Sequence, residues 1–462
     1  MSEIDLASFN PVEGSITVFL SVAGRHRDAL ARGRAFLETY AHVPVTDSTV
    51  AKAFGDAHNG IALCLAMLGH TEEARTHFDR AFEIYDQPNM KSATVEMMLR
   101  TLIIPYFATD EHEFELQLRS FERLMDSVES LFTFDPQILA LSRQHRWLLL
   151  RGCWKEAERS AMSHNGFLGV NSYSNDATAT LAELCRLRGE YQQAWLHIMS
   201  LLPDGPDQEP GTIRYTTGIY AIQTAANLAL DENEFVHARD WIKAHRYWLE
   251  WSEAALGWAE HDLLNARYRL LTGDPERAQA HAREALASAS HPSQPLVLLA
   301  IHRLLGMIAR DAGEFDEATD HLRKAGDIAA NARARYEQVL VEIEQIALSI
   351  ATGETNGISE KIEVARGLLS EIGAEPALAR LSELDGQLLS MPESPAGFAA
   401  LTEREMDVLR LVAAGLPNAD VAERLSISPR TVTTHLSSIY RKLDTSSRTT
   451  ITRIAIEHGL SA

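Results

Sequence analysis

The chain is 462 residues long and carries 43 Lys and Arg against 64 Asp and Glu, a net charge of −21. At roughly 150 residues per domain this is material for about three domains. Its 45% hydrophobic and 23% charged residues exclude a disordered chain. A chain this acidic is repelled by phosphate backbones unless its positive charge is concentrated in one place.

The first ten residues contain Glu3 and Asp5 and neither a basic nor an apolar run, so no secretory signal is expected. The longest apolar stretches, Ile61–Leu68 and Pro295–Ile301, fall far short of the roughly 18 residues that span a bilayer. Cys64, Cys153 and Cys185 are odd in number and each sits in an apolar helical pattern. That excludes a disulfide framework and a cysteine-based zinc site. A cytoplasmic protein with no membrane partner is expected.

One phrase recurs along the chain: an apolar helix, a small turn residue, a polar stretch, then Ala and a second helix. It runs from Gly24 to Ala29, Gly69 to Ala74, Gly152 to Ala157, Gly189 to Ala194, Asn233 to Ala238, Gly273 to Ala278 and Gly313 to Ala318. Gly353 opens a further copy that lacks the Ala, and a degenerate copy is expected near Asp110. The period is about 40 residues, the length of one helix pair stacking on its neighbours. Small residues let the helices approach closely, and Gly supplies the positive φ that ends the first helix of each pair.

The second copy places Ala62, Gly69, Ala74, Phe78 and Ala81 at small, turn, small, aromatic and small positions. The eighth does the same with Gly306, Gly313, Ala318, Leu322 and Ala325. In this the region resembles the tetratricopeptide superfamily, although its period is nearer 40 than 34. The resemblance implies a right-handed helical-hairpin solenoid of about nine pairs over residues 1–390.

Residues 391–399 include Pro392, Pro395 and Gly397 and read as a linker. Residues 400–462 form a separate unit. Thr402 and Glu405 make a capping box, flanked by Leu401 and Met406 as a hydrophobic staple. Gly415 stops this helix, Asn418 is expected to cap a short second one, and Ser426–Ser428 form a tight turn. Ser428 as N-cap with Pro429 at the first helical position starts the third helix, which runs to about Leu443. A fourth runs from Arg448 to His458 and ends at Gly459.

The third helix has two faces. Val432, Leu436, Ile439 and Leu443 form an inward stripe; Arg430, Thr433, Thr434, Ser437 and Arg441 form an outward one with no acid. A short helix, a tight turn and a second helix with a basic, polar face describe a helix-turn-helix. From Gly397 onward there are eight bases and seven acids, and from Ser426 onward five bases against Asp444 and Glu457. The positive charge gathers at this end.

On Leu401, Thr402, Arg404, Glu405, Leu409, Gly415, Asn418, Ala422, Leu425, Ser428, Thr431, Val432, His435, Ile439, Lys442, Leu443, Ser447 and Arg448, this unit resembles the LuxR-type DNA-binding domain. The resemblance implies that the third helix enters the major groove of promoter DNA and that two copies bind as a homodimer through the fourth helix. Asn418, Arg430, Thr431, Thr433, Thr434, Ser437, Arg441, Lys442 and Arg448 are the expected DNA-binding residues. Many relatives carry Lys where this chain has Ala419 and Thr433, which removes two expected contacts.

Helical repeats ending in such a domain are similar to the C-terminal half of the large ATP-dependent LuxR-type regulators. No Gly-Lys dipeptide occurs, hence no phosphate-binding loop of their kind. No cofactor is expected.

Trp241, Trp248, Trp251 and Trp258 would share one 100° arc on a continuous helix. They read either as interhelical core packing or as an aromatic ligand wall on the solenoid. The eighteen histidines include no His-Glu-x-x-His pattern, so no metal site is expected, and no nucleophile motif marks an enzyme. The expectation is an all-α transcription regulator whose solenoid takes a small-molecule or protein effector, with RNA polymerase a further candidate partner. The alternative is an interaction scaffold ending in a helical cap.

Overall fold

The computed structural model describes residues 9–45, 47–85, 148–164, 171–390, 401–443, 445–457 and 460. The expected degenerate repeat near Asp110, the linker at 391–399 and the stop at Gly459 lie outside them. Two compact units result: Met1–Gly353 with Glu360–Ser382, and Glu354–Ser359 with Glu383–Ala462. The division falls inside a helix, eight residues before the boundary expected at 390.

Helix pairs fill the first unit: α1 and α2 (Val12–Val22, His26–Thr39), and α3 and α4 (Ser48–Met67, Thr71–Tyr85). After α5 (Trp154–His164) come α6 and α7 (Asn171–Arg188, Tyr191–Leu201), α8 and α9 (Tyr215–Asp231, Phe235–Ser252) and α10 and α11 (Trp258–Leu271, Pro275–Ser290). Next follow α12 and α13 (Pro295–Asp311, Phe315–Asn331), α14 and α15 (Arg335–Thr352, Ile358–Ile372) and α16 (Glu375–Ser390). No strand occurs among the described residues, and no described helix is long and apolar enough to cross a membrane.

The recurring turns share a left-handed residue. Gly24, Gly69, Gly152, Gly189, Gly273, Gly313 and Gly353 have φ between 76° and 90°, and Asn233 takes their place at 59°. After every one of these turns but Gly353, the next amide reaches back five residues, as in His70 N–H to Leu65 O at 2.8 Å and Glu314 N–H to Ala309 O at 2.8 Å. That is a Schellman stop, which satisfies carbonyls the helix end would otherwise leave open. Asn233 serves because Asn tolerates the left-handed region better than most residues. The Ala five residues after each turn (Ala29, Ala74, Ala157, Ala194, Ala238, Ala278 and Ala318) is fully buried where the two helices cross.

Polar side chains tie the stack together. Arg186 on α6 pairs with Glu183 at 2.7 Å and with Asp231 on α8 at 2.5 Å, while Arg310 on α12 reaches Glu344 on α14 at 2.5 Å. Repeats distant in sequence also touch: Ala255 N–H donates to Met67 O at 2.9 Å, and Arg27 pairs with Glu253 at 2.9 Å.

The tryptophans do not share one helix. α9 ends at Ser252, and Glu253 (φ 55°) and Gly257 (φ 103°) turn the chain before Trp258 begins α10. Trp241 stacks on Trp195 with ring centroids 6.2 Å apart. Trp248 is fully buried, stacks on Tyr215 at 6.2 Å and donates its indole N–H to Gln208 O at 2.9 Å. A Cβ on Gly218 would come within 2.2 Å of the Trp248 ring, so only glycine fits there. The Trp258 indole donates to Ala254 O at 3.1 Å. Trp241 and Trp248 thus pack in the interior of the stack, as the core-packing alternative has it, while Trp251 and Trp258 are half-buried.

Candidate nucleic-acid interface

The C-terminal unit holds α17 (Glu403–Ala413), α18 (Asn418–Arg424), α19 (Pro429–Lys442) and α20 (Arg448–Glu457). Val408, Leu409, Val412, Val421, Val432, Leu436, Ile439, Ile451 and Ala455 make their common core, with Leu401 and Met406 packed against it. The capping box is formed: the Glu405 amide donates to Thr402 Oγ1 at 3.3 Å, and the Thr402 amide donates to Glu405 Oε2 at 2.7 Å.

A turn with the solenoid's stop geometry joins α18 to α19. Ser426 has φ 52°, its amide donates to Glu423 O at 3.1 Å, and the Ile427 amide reaches Ala422 O at 2.9 Å. Ser428 then caps α19, accepting from the Thr431 amide at 3.1 Å, with Pro429 at the first turn. This fixes the direction in which α19 leaves the turn.

Once Val432, Leu436 and Ile439 are buried, Arg430, Thr431, Thr433, Thr434, Ser437 and Arg441 are exposed. None of these carries negative charge. The hydroxyls of Thr433, Thr434 and Ser437 donate to carbonyls one turn back, at Pro429 (3.0 Å), Arg430 (3.0 Å) and Thr433 (2.9 Å). They therefore present oxygen lone pairs and, on the threonines, methyls. Such a surface suits base donors and the thymine methyl better than base acceptors.

Three expected contact residues are occupied elsewhere. The Lys442 ammonium lies 2.6 Å from Oε2 of the buried Glu405, joining the end of α19 to the start of α17. Burial raises the Glu405 carboxyl, but hydrogen bonds from Lys442, Ser438 and Thr402 outweigh it and hold the group down at about 2. Arg448 donates to Asn418 Oδ1 at 2.6 Å and to Leu416 O at 2.5 Å, pinning α20 to the entry of α18. Asn418 is not the helix cap; Pro417 holds that position in extended conformation, and Asn418 is the Arg448 acceptor. Asn418, Lys442 and Arg448, expected at DNA, make these internal ties within the unit. Sequence reading missed these ties because their partners are 30 and 37 residues apart.

Four helices around one core, with the third presented outward after a tight turn, define a helix-turn-helix unit. Residues 399–455 match the bacterial regulatory proteins of the luxR family (GerE), so the C-terminal unit is a LuxR-family helix-turn-helix domain. An HTH-type transcriptional regulator of Mycobacterium bovis is 32% identical over 226 residues, 48% of this chain and 25% of that protein. The chain thus spans about a quarter of that relative. The transcriptional regulatory protein LiaR of Bacillus subtilis is 36% identical over 95 residues, 20% of this chain and 44% of that one. Among solved structures, a Rap protein complexed with Competence and Sporulation Factor superposes with TM-score 0.52 at 12% identity, covering 73% of this chain and 99% of that one. At that identity the likeness is one of fold, the helical-repeat stack.

Proposed function

We propose that the chain is a DNA-binding transcriptional regulator whose α19 lies in the major groove of promoter DNA. The observation that carries this reading is the exposed, acid-free face of α19, held by the Ser426 turn and the Ser428 cap in a protein of net charge −21. Arg430 and Arg441 flank Thr433, Thr434 and Ser437, so the cations contact phosphate and position the helix while the hydroxyl-bearing residues face base edges. The names of the M. bovis and B. subtilis relatives support it.

Two copies bind as a homodimer on DNA, and the solenoid takes an effector, small molecule or protein, that governs them; RNA polymerase is a further partner. The Rap structure, a helical-repeat stack complexed with a factor, supports a binding role for the solenoid. Selection of duplexes from a random library on the full chain tests the central point. A recurring motif is expected, and it should be lost when Arg430 and Arg441 are both replaced by Ala. A scaffold with a helical cap would enrich no duplex even at low salt, and that result would reject the reading.

A further inference from the structure

In the solenoid, the residues eleven before and eight after a turn face each other across the hairpin, and their chemistry differs from copy to copy. Around Gly24 they are Glu13 and Arg32, 3.8 Å apart. Around Gly69 they are His58 and His77, with Nδ1 atoms 2.9 Å apart, and around Gly313 they are His302 and His321, at 2.8 Å. Around Gly273 they are Asp262 and His281, with Oδ1 and Nδ1 3.9 Å apart.

A third position, eleven after the turn, completes each set. It is Arg80 beside the first histidine pair and Lys324 beside the second; burial, then the partner histidine, then the cation disfavour a charged His58 and His302. In the Gly273 hairpin it is Glu284, whose Oε2 lies 3.3 Å from His281 Nδ1. The same place in the fold is lined by a cation in two hairpins and by a second carboxylate in the third.

We propose that Asp262, His281 and Glu284 bind a divalent transition-metal ion of the zinc class, joining α10 to α11. Among the described residues they are the one group of three whose donor atoms lie close enough, all within 4.8 Å. Zinc takes nitrogen and oxygen donors at about 2.0–2.2 Å, which places tetrahedral donors about 3.4 Å apart. The 3.3 Å and 3.9 Å separations bracket that edge. One imidazole with two carboxylates is a set of intermediate softness, which suits zinc or cobalt better than calcium.

A second observation points the same way. His281 Nδ1 is buried and has no hydrogen-bond partner, although it faces two carboxylates. A nitrogen so placed is satisfied by a cation lying between it and the acids. The site escapes sequence reading because its donors come from two helices, nineteen residues apart across the Gly273 turn.

The test titrates the full chain, stripped of metal by a chelator, with Co2+ and follows its visible d–d absorption, then displaces it with Zn2+. One saturable equivalent at micromolar Co2+ is expected, with the intense band of a four-coordinate ion. Glu284→Lys, which gives this hairpin the charge of its Gly313 counterpart, should weaken binding at least about tenfold, and Asp262→Asn likewise. His302→Gln should leave it unchanged. Glu284 is exposed, so Glu284→Lys and the milder Glu284→Gln are both read in a folded chain, checked by circular dichroism. No saturable band, a band unchanged by both Glu284 variants, or one lost with His302→Gln would each overturn the assignment. If His281 merely pairs with the two acids, no band forms at all.

Discussion

In the solenoid the Schellman stop recurs at Gly or Asn from Gly24 to Gly313, and each of these copies seats a buried Ala where the next helix crosses. In the C-terminal domain the same hydrogen bonds close the turn at Ser426, and their product is one exposed helix instead of one more buried hairpin. Buried charge follows a parallel rule. Arg310 with Glu344 ties α12 to α14, and Lys442 with Glu405 ties α19 to α17. The difference lies in what remains at the surface. In the small domain Lys442 and Arg448 make internal ties, and Arg430 and Arg441 are exposed on the α19 face proposed to meet phosphate. Part of the basic charge of this domain holds its helices together.

The largest effect should come from the solenoid tie. Arg310 and Glu344 each expose 9% of their side chains, so Glu344→Ala leaves a guanidinium buried without its strongest partner. Breaking such a pair costs about 3–5 kcal/mol. Hydrogen exchange should show protection lost in α12 and α14, while α17–α20 keep theirs. Equal loss in both units would mean that they do not unfold separately.

The corresponding tie in the small domain is titratable. Because the folded Glu405 carboxyl sits at about 2 against an ordinary 4.5, its contribution is complete above about 4.5 and is lost as the pH falls toward 2. The full loss is at most about 3.5 kcal/mol, because a tenfold change in proton affinity corresponds to roughly 1.4 kcal/mol. Lys442→Ala should remove much of this and lower the domain's melting temperature, with DNA affinity falling only as far as the fold does. A Lys442→Ala domain that melted normally but showed a salt dependence reduced by one unit would restore Lys442 to phosphate.

The residues proposed to face DNA should behave in the opposite way, leaving stability alone. Arg441→Ala is expected to weaken binding to all sequences alike and lower the salt slope by about one unit. Thr434→Ala should relax preference at one or two base positions, at a cost of about 1–2 kcal/mol. Thr434→Val separates the two chemistries of that side chain. It keeps a methyl and loses the lone pairs, so preference for thymine survives it and preference for a base donor does not. Binding-site selection on the three variants reads the result.

What the sequence made legible, it made legible locally. Positive φ at Gly24 or Gly313, the buried Ala five residues on, the Thr402–Glu405 capping box and the Ser428 cap each depend on neighbours within about one helical turn. The ties of Lys442 to Glu405 and of Arg448 to Asn418 depend on packing across 37 and 30 residues, and a pattern of helical faces cannot show them. The tryptophans show a third kind of limit. Trp258 fits the helical spacing of Trp241, Trp248 and Trp251, but Glu253 enters the left-handed region without being glycine, and the helix ends there unannounced.

Ser426 allows the smallest and sharpest comparison between the two regions. It occupies the left-handed position that glycine fills at most of the solenoid's turns, with φ 52°. An L-residue there costs roughly 1–2 kcal/mol, whereas glycine is unstrained but gains entropy in the unfolded chain, at about 0.5–1 kcal/mol. The two nearly offset, with strain the larger. Ser426 is exposed, so its side chain gives up little packing. Ser426→Gly should therefore stabilise the domain by up to about 1 kcal/mol in chemical denaturation. It should leave the selected DNA motif unchanged, because the Ile427 amide to Ala422 O bond still sets the exit of α19. If Ser426→Gly stabilised the fold yet blurred the motif, the side chain itself, and not the turn geometry, would be what aims the helix.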